Sequence, residues 1–218
     1  MSLNRIKLVV FDCDGTLTTG PSSWQLLHEA FGTLRQAEIN AELYKSGKIS
    51  YYEWAKRDVE LWRGKKLDKA EPYLKKIKLV EGSEWLFQKL SSAGIKTVVI
   101  SAGLDPVVQR FVKPLNPYNV FCNRLLTKDG VILGSVELHV DYKKKGEIVR
   151  LIMDKMDLCD EQVIAIGDSE ADVSMFHVAG MCIAFNPSDA YILPHAKVVV
   201  RGNMFDLYKI LKRNIKNL

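Results

Sequence analysis

Two aspartates stand two residues apart in Asp12-Cys13-Asp14-Gly15-Thr16, where a nearly continuous apolar run, Ile6–Phe11, comes to an end. If the chain stays extended there, the two-residue period of a strand projects both carboxyls from the same side. Cys13 then points the other way and acts as a small apolar residue. Gly15 permits a tight turn after the pair, and Thr16 adds a hydroxyl. Paired carboxyls suit attack on phosphorus: one is the nucleophile and the other hands a proton to the departing oxygen. Two adjacent anions repel, so this chemistry also requires a cation, and Mg²⁺ fits an oxygen-only site that retains water. The plain alternative is an acidic turn after a strand.

Further polar residues stand at comparable places along the chain. Ser101 follows the apolar run Lys96–Ile100, and Asp168 follows Gln162–Ile166 and Gly167. Lys145 begins Lys145-Gly146-Glu147 at a helix start. Each has a competing explanation. A serine often begins a turn. Lys143-Lys144-Lys145 can be an exposed charge run, with Lys144 as the alternative to Lys145. Ser169-Glu170-Ala171-Asp172 fits a helix-capping pattern.

The elements that must position these residues alternate in type. Ile6–Phe11 suits a strand covered on both faces. Ser83–Ala93 carries apolar residues at helical spacing (Trp85, Leu86, Leu90, Ala93) and stops at Gly94, a C-cap residue. Lys96–Ile100 is a β-branched strand. A helix from Gly146 presents Ile148, Leu151, Ile152 and Met156. Gln162–Ile166, Cys182–Phe185 and Val198–Val200 read as strands, Ser169 to about Ala179 as a short helix, and Met204–Ile215 as a closing helix. This alternation predicts an α/β fold, a doubly wound and mainly parallel sheet. Such sheets bind ligands at the carboxyl ends of their strands. Asp12, Ser101 and Asp168 each follow a strand at that end and can converge. Two segments interrupt the alternation. Thr19–Leu79 lacks strand signals and reads as several helices, a lid over the site. Asn123–Val140 contains Lys128-Asp129-Gly130 between apolar runs and reads as a β-hairpin.

Composition narrows the class. The 218 residues are 47% hydrophobic and 26% charged, values of a globular enzyme rather than a disordered chain. The net charge of +5 comes from basic residues mixed with acidic ones, so no nucleic-acid arm is expected. Cys13, Cys122, Cys159 and Cys182 form no CxxC, and the four histidines show no metal-ligand spacing. No apolar run is long enough to cross a membrane, and no leader-like run precedes the first strand. We therefore expect a cytoplasmic protein with reduced thiols, no membrane partner and no nucleic-acid partner.

Asp12-Cys13-Asp14-Gly15-Thr16-Leu17-Thr18 resembles the first motif of the haloacid dehalogenase superfamily. Ser101 resembles the second motif, Lys145 the third, and Gly167-Asp168-Ser169-Glu170-Ala171-Asp172 the fourth. The order is that of the superfamily, and the anchors span most of the chain. Length, spacing and the tail Asp172-Val173-Ser174-Met175-Phe176 resemble the phosphoserine phosphatase branch, whose helical cap is inserted where Thr19–Leu79 lies. The resemblance implies an α/β core of residues 1–18 and 80–218 and a helical cap of residues 19–79. It implies that Asp12 attacks phosphorus and that Asp14 protonates the leaving group and then activates water. The Asp12 side chain, the Asp14 backbone carbonyl and Asp168 would hold Mg²⁺. Ser101, the Ala102 amide and Lys145 would grip the phosphoryl oxygens, supported by Thr16, Gly103 and Asp172. Asp172 would cap its helix and also orient Lys145 or a metal-bound water. A carboxylate at position 14 marks a phosphate-handling member, because the superfamily's dehalogenases lack one there.

The cap departs from the branch. Phosphoserine phosphatases read the amino-acid part of their substrate with a glutamate after motif one and an arginine in the cap. Here the register places Pro21 and Val59 at those positions, with Arg57 as the nearby arginine and a candidate substrate contact. Ala171 stands where the branch usually has asparagine. Trp24, Tyr51, Tyr52, Trp54 and Trp62 have the spacing of cap packing, with Trp24 and Trp54 the candidates for a substrate wall. The expected activity is Mg²⁺-dependent hydrolysis of a small phosphorylated metabolite. A phosphotransferase or phosphomutase using the same aspartate, and a non-catalytic binding protein on this fold, are the alternatives. Monomer and homodimer both stay open.

Overall fold

The first apolar run becomes β1 (Leu8–Phe11), with all four residues buried in a computed structural model that describes residues 6–215 and 218. The chain continues through β2 (Thr18–Thr19), α1 (Ser23–Phe31), α2 (Leu34–Lys45), α3 (Tyr51–Glu60), α4 (Glu71–Leu74) and β3 (Lys78–Leu79). Next come α5 (Ser83–Ser92), β4 (Lys96–Leu104), α6 (Asp105–Val112), β5 (Asn119–Lys128) and β6 (Val131–Glu137). Then follow α7 (Lys145–Met156), β7 (Val163–Gly167), α8 (Val173–Phe176), β8 (Met181–Phe185), β9 (Val198–Val200) and α9 (Met204–Asn214).

Seven strands form one sheet in the order β6-β5-β4-β1-β7-β8-β9, parallel except for the β5–β6 hairpin. β1 is the middle strand, and its two neighbours come from distant parts of the chain. Its register sets Phe11 beside Val99 of β4 and Ile166 of β7. The residues that follow these three strands therefore emerge side by side at the carboxyl edge, where a doubly wound sheet changes direction.

Both faces are covered, as the unbroken apolar strands require. Val9 and Phe11 face a layer with Leu86, Phe87 and Leu90 of α5 and Leu207 and Leu211 of α9. Leu8 and Val10, one residue out of phase, face Val149, Ile152 and Met153 of α7 and Met175 and Phe176 of α8. Cys13 is buried in the first layer, as its alternation with the two aspartates predicts.

Several boundaries differ from the sequence reading. β4 runs on past Ile100 to Leu104, with a register irregularity in that stretch, so Ser101 lies within the strand rather than starting a turn. The segment after Gly167 is a single 3₁₀ turn, Glu170–Asp172, followed by the short α8. α7 begins at Lys145, which is buried, whereas Lys144 is exposed at its N-cap. That removes Lys144 as the alternative.

Residues between β2 and β3 are helical, and these two short strands pair antiparallel to form a stem at both ends of the segment. Ser50 and Glu53 form a reciprocal capping box that starts α3. A third apolar cluster joins Leu26, Leu27, Phe31, Val59 and Trp62 of this segment to Leu125 and Ile132 of the hairpin. Backbone bonds seal that contact: Gly64 N–H donates to the Ile132 carbonyl, and Leu67 N–H to the Gly130 carbonyl, both at 2.9 Å. The hairpin turns at Asp129 and Gly130, both at positive φ (51° and 75°), as a two-residue Asp-Gly turn demands. No helix among the described residues is long and apolar enough to cross a membrane.

Candidate active site

Asp12 follows β1, Ser101 lies in the last part of β4, and Asp168 follows β7, so three adjacent strands deliver three polar side chains to one place. Lys145 reaches the same place from the first turn of α7. Its Nζ lies 2.5 Å from Asp12 Oδ1 and 2.7 Å from Asp172 Oδ1, and the whole side chain is buried. Burial penalises the ammonium, but the two carboxylates together outweigh that and hold Lys145 charged, with its pKa above the usual lysine range.

Asp172 is the hinge of this arrangement. Its second oxygen accepts the backbone N–H of Asp168 (2.9 Å) and of Ser169 (3.2 Å). It thus caps its own 3₁₀ turn with one oxygen and holds Lys145 with the other. Capping of the turn and contact with Lys145 are thus made by the same side chain.

Three carboxylates, Asp12, Asp168 and Asp172, bring an oxygen each to within 4.8 Å of one another, all buried. Burial first, then the charge of Asp172, push Asp12 well above the ordinary carboxyl range against the pull of Lys145. The same two causes push Asp168 up to about 6. With one ammonium against three carboxylates, the cluster is short of positive charge. A divalent cation among hard oxygen donors would supply it, so the donor set fits a metal. Asp172 accepts three hydrogen bonds, whereas Asp12 and Asp168 accept one side-chain bond each, so those two have more lone pairs free to ligate. Asp168 is also steadied by Thr16, whose hydroxyl donates to Oδ1 at 3.3 Å. Gly15, at φ 90°, lies so close that a Cβ there would sit 2.5 Å from Asp168 Oδ2.

Asp14 faces the other way, toward the helical segment. Its Oδ2 accepts both the backbone N–H and the hydroxyl of Ser23, each at 3.1 Å, at the start of α1. Burial raises the Asp14 carboxyl above its ordinary range, and the two Ser23 bonds oppose the rise. Ser23 Oγ in turn accepts Leu104 N–H at 3.0 Å, so it clamps Asp14 to the end of β4. Gly103 must be glycine for this packing, since a Cβ would lie 2.4 Å from Ser23 Oγ and 2.9 Å from Asp14 Oδ2.

The peptide after Ser101 is pinned from several sides. Gly103 N–H donates to Ser101 Oγ at 3.0 Å, which leaves the serine's own hydrogen to donate into the cavity it lines. The Ala102 carbonyl accepts Trp24 Nε1 and Asn123 Nδ2, both at 2.9 Å, and the Tyr51 hydroxyl at 3.4 Å. Asn123 is wholly buried, and its Oδ1 accepts the backbone N–H groups of His139 and Val140 at 2.9 Å. It ties β4, the helical segment and the approach to Lys145 together.

All of these catalytic candidates open on one cavity of about 470 Å³. Its far wall is formed by Trp24, Tyr51, Trp54 and Tyr142, with Asp58 among them. Trp24 and Trp54 therefore line the cavity, whereas Trp62 is buried in the third apolar cluster and Tyr52 is exposed. Arg57 is a correction to the sequence reading: it is exposed and outside the cavity lining. Tyr51, Trp54, Ala55 and Asp58 occupy the inner face of α3 at helical spacing, so Arg57 falls on its flank. That spacing would have pointed to Asp58. Ser23, Asn123 and Tyr142 were also missed. The one local signal for them was the Ser22-Ser23 pair at a helix start.

The family model described as haloacid dehalogenase-like hydrolase matches residues 9–177. The phosphoserine phosphatase of Methanocaldococcus jannaschii is 33% identical over 180 residues, covering 82% of this chain and 85% of that protein. That of Wolinella succinogenes is 31% identical over 181 residues, covering 83% and 87%. Among solved structures, a phospho-aspartyl intermediate analogue of a phosphoserine phosphatase superposes with a TM-score of 0.81 at 30% identity, covering 97% of this chain and all of that one.

Proposed function

Since the chain belongs to the haloacid dehalogenase-like hydrolases, in the phosphoserine phosphatase-like branch, we propose that Asp12 is its nucleophile and Mg²⁺ its metal. The protein is a phosphoric monoester hydrolase acting on a small phosphorylated substrate. The observation that carries the residue assignment is the convergence of Asp12, Asp14, Ser101, Lys145 and Asp168 on one cavity.

In the first half-reaction an Asp12 oxygen bonds to phosphorus while the ester P–O bond breaks. Asp14, whose raised pKa keeps a proton on it further up the pH scale, passes that proton to the leaving oxygen. Lys145 offsets charge on the phosphoryl group and on Asp12, and the Ser101 hydroxyl and Ala102 N–H hold equatorial oxygens. In the second half-reaction Asp14, now ionised, takes a proton from water as the water oxygen bonds to phosphorus and the Asp12–phosphorus bond breaks. Mg²⁺ on Asp12, Asp168 and the Asp14 carbonyl would supply charge neutralisation between nucleophile and phosphate. Residues 19–79 serve as the cap, with Ser23 linking cap position to the acid/base.

The test is phosphate release from a generic aryl phosphate. Turnover should require Mg²⁺, disappear with chelator, and vanish in Asp12→Asn. Undiminished turnover in Asp12→Asn overturns the assignment.

A further inference from the structure

Resting on the phosphatase reading above, we propose that the cap half of the cavity selects a phosphomonoester of an alkylammonium alcohol, one with a cationic nitrogen and no carboxylate. The first observation is the shape of the aromatic wall. The ring centroids of Tyr51, Trp54 and Tyr142 form a nearly equilateral triangle with sides of 6.1, 6.4 and 6.4 Å. Each centroid lies about 3.6 Å from the centre, so a cation seated over the triangle stays within ~6 Å of all three rings. Tyr44 stacks on Trp54 at 4.8 Å and also lies 6.1 Å from Tyr51 and 6.4 Å from Tyr142, so it covers one side of the triangle and leaves the other to the cavity.

The second observation is the charge of that half of the cavity. Asp58 lies one turn beyond Trp54 on the same face of α3, buried, and lines the cavity. Its partners are Asn40 Nδ2 at 2.7 Å and His28 Nε2 at 3.3 Å, and among the described residues no lysine or arginine pairs with it. Among the described residues, Lys145 is the one lysine or arginine that lines the cavity, and it is committed to Asp12 and Asp172 at the phosphate end.

The third observation is what a carboxylate would meet. Val59 is fully buried in the cap's apolar cluster, Arg57 is exposed on the flank of α3, and Pro21 is not part of the lining. A substrate carboxylate would be set near Asp58 and Asp14 with no lysine or arginine of the cavity lining to receive it. Desolvating it there is unfavourable. An ammonium gains from both the aromatic faces and Asp58.

The experiment compares kcat/KM of the full-length protein with Mg²⁺ at pH 8 on five substrates. These are an aryl phosphate, phosphocholine, phosphoethanolamine, neohexyl phosphate (the uncharged carbon isostere of phosphocholine) and phosphoserine. One of the two ammonium esters should exceed both neohexyl phosphate and phosphoserine by at least about tenfold. If the aryl phosphate is hydrolysed but neohexyl phosphate or phosphoserine matches the ammonium esters, the inference is overturned and the phosphatase reading stands. If the aryl phosphate is not hydrolysed, both fall. Trp54→Leu and Asp58→Asn should each move the ratio of the preferred ammonium ester to neohexyl phosphate toward one. That ratio is internal to each variant, so loss of folded protein cancels; a ratio unchanged in both variants overturns the inference.

Discussion

Asp172→Asn keeps the shape of a fully buried side chain and removes its charge. In the native site its two oxygens serve three donors: Lys145 Nζ at 2.7 Å, and the N–H groups of Asp168 and Ser169 at 2.9 and 3.2 Å. An amide has one accepting oxygen. If that oxygen stays on Lys145, the amide nitrogen confronts two N–H donors; if it flips, it confronts the ammonium. A lost charge-assisted bond costs ~1.5–3 kcal/mol, and an orphaned buried donor costs ~1–3 kcal/mol more. Together these agree with the ~3–5 kcal/mol typical of removing one partner from a buried ion pair. For a domain of this size the melting temperature should fall by about 10 °C. Lys145 keeps Asp12, so activity should drop rather than vanish, by roughly 10- to 100-fold in kcat/KM. The like charge beside Asp12 and Asp168 also disappears, so both become more acidic, and the acid limb of kcat/KM moves to lower pH. Calorimetry and a pH–rate profile on an aryl phosphate read all three. A variant with native melting and native turnover would refute the role given to Asp172. A lowered melting temperature with an unmoved acid limb would reduce it to a helix cap.

Ser23→Ala removes one of the two bonds that hold down the Asp14 pKa, while the backbone N–H remains. The Asp14 proton should then persist to higher pH, so the alkaline limb of the pH–rate profile moves up. Metal-free protein should lose stability as pH rises through about 4 to 6. Asp168 titrates near 6 when folded but near ~3.9 when unfolded, so the folded state holds the extra proton in that window. The loss is about 3 kcal/mol, and Mg²⁺, which binds the ionised form, should raise the melting temperature more at pH 7.5 than at pH 5. An equal shift at both pH values contradicts this. Arg57→Ala should leave kcat/KM and stability within about 0.5 kcal/mol of native, the range of an exposed site.

The convergence of Asp12, Ser101 and Asp168 on one cavity is legible in the sequence because its signals are local. β1, β4 and β7 are apolar runs, and a polar residue just beyond or near the end of such a run must sit at the sheet edge. The hairpin was equally local, set by Asp129 and Gly130. The wall that the helical segment between β2 and β3 contributes is not. Gly64 and Leu67 pair with the hairpin through backbone groups, which leave no mark in side-chain pattern. Asn123 looks like any polar residue in a strand until Ala102, Tyr51 and Val140 close around it. Arg57 was singled out by residue type, but the helical phase of α3 turns Asp58 inward instead.

Phosphorylation of Asp12 is read by quenching a turnover in acid, reducing with borohydride, and sequencing the peptide that spans β1 by mass spectrometry. An aspartyl phosphate is reduced to homoserine, so homoserine is expected at position 12, dependent on substrate and absent without Mg²⁺. Steady turnover with no modified residue, or with the label on another side chain, would contradict it.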